Sequence, residues 1–436
     1  MLVSRSLGIN DQGRLTVGGC DAVELCKEFG TPLYVMDENA IRHNCQAFRE
    51  SIEKYYDGKG RCLFASKAFT CLAMAKIIQQ EGLGMDVVSG GELATAIRAG
   101  VDPKLLCFHG NNKTADELSY ALEQGVGRIV VDNPDELGRL CRQARSLQKT
   151  ADVLLRIKPG IDAHTHNFIR TGQIDSKFGF ALENGEAMQA VRAVLREDCL
   201  RLRGVHCHIG SQIFEIDPFE HAAQVMLQFM ARVRDEEGLV MEELNLGGGF
   251  GISYVTSDDA KPYEVFMQRV SSVIRSTCDD IGLPVPFIMI EPGRSIAGPA
   301  GTTLYTVGGV KEIPKVRNYV SVDGGMTDNP RYALYQADYT VLIANRMNEP
   351  ADYKATIAGK CCESGDLLQE NVMIPKPQPG DILAVCCTGA YNYSMSSNYN
   401  RIPRPAVVMI RDGEPRIIVR RETYDDLMRN DLDSLE

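Results

Sequence analysis

Lys67 lies in the run Phe64-Ala65-Ser66-Lys67-Ala68, at the end of the first apolar stretch after the opening sixty or so residues. A lysine that closes a buried strand is unusual, because an isolated ammonium is costly to bury. Linking the amine to a carbonyl carbon as an imine removes that cost, as a Schiff-base lysine holding pyridoxal phosphate does. The plainer alternative is that Lys67 marks the strand's exit into solvent. Glu291, in Glu291-Pro292-Gly293-Arg294, suits the same chemistry. A carboxylate beside a pyridine nitrogen favours its protonated form, and a protonated ring accepts electrons released at a substrate α-carbon. So strong an electron sink suits decarboxylation; an ion pair between Glu291 and Arg294 is the competing use. His208 suits stacking on a ring face, or a place as a core histidine. The run Gly247-Gly248-Gly249-Phe250-Gly251 lets backbone N–H groups approach a phosphate, with Ser211 adding a hydroxyl. A tight turn is the alternative, and the spacing does not fit a dinucleotide fingerprint.

These residues share a position in the elements that carry them. Eight short β-rich runs recur: Cys62–Ser66, Met85–Ser89, Leu105–His109, Arg128–Asp132, Val153–Lys158, Gly204–His208, Glu243–Gly247 and Phe287–Glu291. Helical spacing fills the intervals at Leu93–Ala99, Thr114–Gln124, Pro134–Gln148 and Pro218–Glu237. Strands alternating with helices predict parallel βαβ units, and eight of them predict a closed (β/α)8 barrel. A doubly wound sheet is the rival; it calls for an early Gly-x-Gly-x-x-Gly turn, which the sequence lacks. In a barrel, function gathers at the carboxyl ends of the strands. Lys67, Asp86 with Ser89–Glu92, His109, His208–Gln212, Gly247–Gly251 and Glu291–Arg294 all fall there.

After about residue 292 the pattern changes to successive strands: Thr303–Val307, Tyr319–Val322, Tyr339–Ala344, Tyr353–Ala358 and Ile382–Cys386. Pro405–Arg411 and Arg416–Arg421 flank Asp412-Gly413, a hairpin signal. The expected organisation is a (β/α)8 barrel over 31–291 and an antiparallel β domain, a sandwich or barrel, over 292–436, with residues 1–30 joining the β domain.

The chain has 436 residues, 44% hydrophobic and 24% charged, as expected of a soluble two-domain protein. A net charge of -11 without a basic run argues against nucleic-acid or anionic-membrane partners. No signal peptide or membrane-length apolar run is visible. The 14 cysteines lack C-x-x-C spacing, so neither a zinc site nor any other metal is expected. They read as reduced thiols of a cytoplasmic protein.

Taken together, the motifs resemble the fold-type III, alanine-racemase-like decarboxylases that use pyridoxal 5'-phosphate, and within them the branch acting on diaminopimelate. The resemblance runs from Gly30-Thr31-Pro32-Leu33-Tyr34 to Gly389-Ala390-Tyr391. It includes the Lys67 motif, Asp86–Glu92, Ser176-Lys177-Phe178-Gly179, His208–Gln212, Gly247–Gly251, Glu291–Arg294, Arg331–Tyr335 and Cys362–Asp366. It implies that Lys67 forms the Schiff base, His208 stacks on the cofactor ring and Glu291 pairs with the ring nitrogen. Asp86, Ser211, Gly248, Gly249, Gly293, Arg294 and Tyr391 complete the cofactor site. Arg294, Arg331, Tyr335, Glu363, Ser364 and Tyr391 are the implied substrate ligands. The resemblance also implies a homodimer in which Cys362 and Glu363 reach across the interface, with Cys362 a proton donor. Read singly, Arg331 and Glu363 are more readily taken as ordinary surface charges. Tyr332 departs from the proline expected after Arg331, and Asp162–Thr171 departs from the expected His-x-x-Ile pattern, although Thr171-Gly172 remains.

The implied reaction is conversion of meso-2,6-diaminopimelate to L-lysine and CO2. A distal carboxylate and ammonium match an arginine and Glu363, and a diamine precursor lacking that carboxylate leaves the arginine unpaired. Other readings are a same-fold decarboxylase acting on carboxynorspermidine, ornithine, lysine or a carrier-protein-bound glutamyl group, a racemase, and a cofactor-free regulatory homologue. Retention of Lys67, Glu291 and Cys362 argues against the last.

Overall fold

The computed structural model describes residues 2–161 and 176–433, so the expectations for Asp162–Thr171 and Thr171-Gly172 lie outside the described residues. The chain divides into two compact units: 44–252 with 260–295, and 1–43 with 253–259 and 296–436.

The first unit is a closed parallel barrel. Its strands are β1 (Gly60–Ala65), β2 (Gly84–Val87), β3 (Leu106–Phe108), β4 (Arg128–Val131), β5 (Ala151–Lys158), β6 (Leu200–His206), β7 (Glu243–Asn245) and β8 (Phe287–Ile290). Each pairs in parallel with the next, and Ile288 to Ile290 of β8 pair with Gly60 to Cys62 of β1, which closes the ring. All eight predicted runs overlap these strands, and the predicted helices are found at Gly90–Arg98, Ala115–Gln124, Pro134–Ser146 and Asp217–Glu237. Their starts follow from side-chain caps. Ser89 accepts from the Glu92 N–H, Asn133 from the Glu136 N–H, and Thr114 forms a reciprocal capping box with Glu117.

The barrel interior is layered. Leu63, Cys107, Val130, Leu154 and Met289 form one buried apolar cluster. Side chains two residues apart on a strand share a face. The next residues on four of these strands are therefore His109, Asp132, Arg156 and Glu291, all buried. An apolar layer thus supports a charged one toward the carboxyl ends.

The second unit is built on a mixed sheet. Gly301–Ile313 pairs antiparallel with Leu33–Asp37, Arg317–Val322 and Ile382–Cys386. Leu33–Asp37 runs parallel to Ala406–Arg411, and Arg317–Val322 runs parallel to Tyr353–Ala358. The N-terminal strands contribute Leu15 and Val17 to a core shared with Leu33, Val35, Leu304 and Val408. Two differences from expectation stand out. The N-terminal boundary lies at 43/44 rather than 30/31, because Leu33–Asp37 is buried along its whole length as a strand of the second unit's sheet. The sheet is also not purely antiparallel, because of its two parallel pairings. The Asp412-Gly413 hairpin has both turn residues at positive φ, 53° and 79°, as a type I′ turn requires.

Candidate active site

At the end of β1 the chain tightens into a 3-10 turn, Ser66–Ala68. Ser66 and Ala68 are buried, but Lys67 is exposed. The premise that its ammonium is buried is therefore corrected in favour of the plainer alternative, an exit into solvent, although its charge still acts on Asp86 and His208. Two contacts fix the turn. Ser66 Oγ donates to the Asp86 carbonyl at 2.5 Å, and Ala65 N–H donates to Pro292 O at 3.2 Å. Gly293 is required here, since a Cβ would lie 2.9 Å from Ala68 Cβ and 3.0 Å from Ala65 Cβ.

Glu291 takes its partners from three other strands. Its Oε1 accepts from Asn245 Nδ2 at 2.6 Å and lies 2.8 Å from His109 Nε2. Its Oε2 lies 3.2 Å from His206 Nε2. Burial is the largest influence and would raise the carboxyl pKa, but His109 and, after it, His206 together outweigh it and hold Glu291 well below the usual carboxylate range. Asp86 lies 3.7 Å from His109 Nε2. Burial, only partly opposed by His109 and aggravated by Glu291, pushes its carboxyl up to about 6. Burial pushes His206 down to about 4, so it is neutral. Arg156 turns to Asp132 at 3.8 Å, and its guanidinium lies 4.2 Å from the Phe178 ring centroid. Gly179 N–H donates to Asp132 Oδ2 at 3.1 Å, which gives the Ser176–Gly179 motif a local purpose.

His208 is half-buried, and its Nδ1 accepts the Gly248 N–H at 3.2 Å. That bond places the proton of the neutral ring on Nε2. Burial, then the charges of Lys67 and Arg156, hold its pKa well below the usual value. The glycine run is a tight turn as well as an open backbone. Gly247 and Gly249 have φ of 68° and 109°, and a Cβ on Gly248 would run into the Glu291 carbonyl. Phe250 pins the run by stacking on Phe219, with centroids 5.1 Å apart and planes 6° apart. Ile213 N–H donates to Gly249 O at 2.9 Å, which joins the loops after β6 and β7. Beside them Arg294 Nη2 donates to Ser211 Oγ at 2.8 Å.

The barrel residues fit pyridoxal phosphate on these observations. An accessible amine, an ionised buried carboxylate and an imidazole lie at the strand ends, while a guanidinium, a hydroxyl and a glycine loop supply anion donors.

In the second unit, Arg331 opens the short helix Arg331–Tyr335 and is buried. Its guanidinium lies 5.0 Å from the ring centroids of both Tyr335 and Tyr391. Its Nε has no hydrogen-bond partner among the described residues. Tyr332, the departure from proline, donates to Glu370 Oε2 at 2.7 Å. Cys362, Glu363 and Ser364 are exposed. Buried Asp366 anchors their loop by accepting the Met326 and Cys361 N–H groups at 2.6 and 2.7 Å. The Cys362 N–H donates to Asn400 Oδ1 at 2.7 Å. All fourteen cysteines are free thiols.

Sequence reasoning missed His206, Asn245, Asp132 and Arg156, and noted His109 only as a strand end. Strand alternation carries the missing signal for three of these five: His109, Asp132 and Arg156 each stand two residues beyond an apolar interior position.

Residues 38–298 match the family model described as the pyridoxal-dependent decarboxylase, pyridoxal binding domain. The chain belongs to that family, and its curated relatives are diaminopimelate decarboxylases. It is 49% identical to that of Bacillus subtilis over 97% of this chain and 96% of the relative. It is 45% identical to that of Synechocystis over 97% and 91%. The solved diaminopimelate decarboxylase of M. jannaschii, in complex with L-lysine, superposes with a TM-score of 0.92 at 36% identity, covering 99% of both chains. The chain is thus a pyridoxal-phosphate-dependent carboxy-lyase. Among the described residues no helix is long and apolar enough to cross a membrane.

Proposed function

We propose that this protein removes CO2 from meso-2,6-diaminopimelate and releases L-lysine. The observation that carries the reading is Glu291, buried yet held ionised at the barrel mouth. When bound, pyridoxal phosphate supplies an aldehyde carbon for an amine and an electron-withdrawing ring. Glu291 Oε2, with one partner at 3.2 Å, has lone-pair capacity to accept the ring N–H and so keep that ring positively charged. Lys67 is the residue whose amine would hold the cofactor through its aldehyde carbon. His208 would stack on the ring, Ser211, Gly248, Gly249, Gly293, Arg294 and Tyr391 would hold the phosphate end, and Asp86 would support the ring end.

Substrate recognition is assigned to Arg331, Tyr335 and Tyr391, with Arg294 for carboxylate. A buried guanidinium with an unused N–H suits a bidentate carboxylate. The protein is a homodimer in this reading. The exposed loop presents a partner subunit's Cys362, Glu363 and Ser364: Cys362 Sγ gives a proton to the α-carbon after the C–C bond breaks, and Glu363 takes the distal ammonium. Fourteen free thiols support a cytoplasmic location.

The test is CO2 release by the cofactor-loaded protein offered meso-diaminopimelate, ornithine, lysine and carboxynorspermidine separately. Release from diaminopimelate alone supports two-ended recognition. Release from another of these in its place overturns the substrate assignment. Glu363→Gln is expected to raise KM about tenfold or more while cofactor affinity stays constant.

A further inference from the structure

We propose that His109 is a positioning residue for Glu291: an imidazolium shared with Asp86 that fixes one oxygen of the Glu291 carboxylate and preserves its charge, while the other oxygen serves the cofactor nitrogen. The inference rests on the cofactor role assigned above to Glu291.

Asp86 on β2, His109 just beyond β3 and Glu291 just beyond β8 are all buried, with 4%, 4% and 7% exposure. Two carboxylates this close in a low-dielectric interior do not both stay ionised without a cation. His109 Nε2 faces both, at 2.8 Å from Glu291 Oε1 and 3.7 Å from Asp86 Oδ1. The ring's other partner is Cys107, two residues earlier on the same strand face. The remaining groups around Glu291 are Arg156 on β5, His206 on β6 with Cys207 and His208 after it, and Asn245 on β7. His206 also favours the charged form of Glu291, less than His109 does, but its own imidazole is neutral down to about 4; Arg156 is drawn to Asp132, and Asn245 carries no charge. Burial lowers the basicity of His109, but Asp86 and Glu291 together reverse that and keep it protonated.

The contacts are unequal in a useful way. The nearer one serves Glu291, and Asp86 competes for the same proton from farther off. Removing His109 and removing Asp86 should therefore act on Glu291 in opposite directions. Loss of the imidazolium raises the Glu291 pKa, while loss of the rival carboxylate lowers it.

The experiment compares His109→Gln and Asp86→Asn with the parent holoenzyme. Three quantities are read: bound-cofactor absorbance against pH, the cofactor dissociation constant, and the acid limb of kcat/KM. For His109→Gln the acid-side transition is expected to move up by about one pH unit, with cofactor binding about tenfold weaker. For Asp86→Asn the transition is expected to move down. Shifts in the same direction, or none in either variant, overturn the proposal. If His109→Gln does not fold, Asp86→Asn decides alone: a downward shift supports the proposal, and no shift or an upward one overturns it. The absorbance titration needs no substrate, so a wrong substrate assignment fails separately, in the parent's CO2 assay.

Discussion

At the scale of single residues, the chemistry depends on a contrast. Lys67 is exposed while Glu291 is buried and charged. Lys67→Ala should abolish CO2 release and the absorbance of covalently held cofactor; full activity in that variant contradicts the scheme. His206 sets an acid limit on stability. Its imidazole stays neutral in the fold down to about 4, against an ordinary value of 6.5, because it is buried. Between those values the unfolded chain binds a proton that the folded one does not, so stability falls as pH drops from 6.5 toward 4. At about 1.4 kcal/mol per unit, the full range is worth on the order of 3 kcal/mol. Urea unfolding at pH 7.5 and pH 5 should show the loss, and His206→Gln should flatten it; equal slopes in the two proteins contradict it. The sequence displayed Lys67 and Glu291 through their neighbours. It offered the exposure of Lys67 only as the plainer alternative, and it did not display the Glu291 partners, which arrive from three other strands.

At the scale of elements, the strand periods were readable and the faces were not. Helices cover the outside of the barrel, so both strand faces are apolar and alternation is blurred. That is why Asp132 and Arg156 escaped notice and His109 was noted only as a strand end, although each extends an interior row. Leu33–Asp37 was not singled out as a strand and fell within the span given to the barrel; nothing local says which sheet it joins. The glycine run was legible as an open loop, and the structure adds a packing demand. Gly248→Ala drives a Cβ into the Glu291 carbonyl, so it should cost about 1–3 kcal/mol and weaken cofactor binding. Gly309→Ala, where nothing lies within 4 Å, is the control. Thermal melts of both variants check this; equal losses contradict the close-approach argument.

At the scale of the whole molecule, the two units divide the residues assigned to the reaction. The barrel holds Lys67, His208 and Glu291, and the second unit holds Arg331, Cys362 and Glu363. If the exposed loop serves a partner's site, Lys67→Ala and Cys362→Ala proteins mixed and allowed to exchange subunits should regain activity. Random pairing gives one intact site in each mixed dimer, or about a quarter of wild-type activity. No recovery despite demonstrated exchange contradicts a shared site. The central claim is simpler and is tested most directly by stoichiometry. Cofactor-loaded protein and meso-diaminopimelate should yield CO2 and lysine in a one-to-one ratio, with neither formed by Lys67→Ala. Diaminopimelate left unchanged by a fully loaded protein, or lysine formed equally well by the Lys67 variant, would contradict the account.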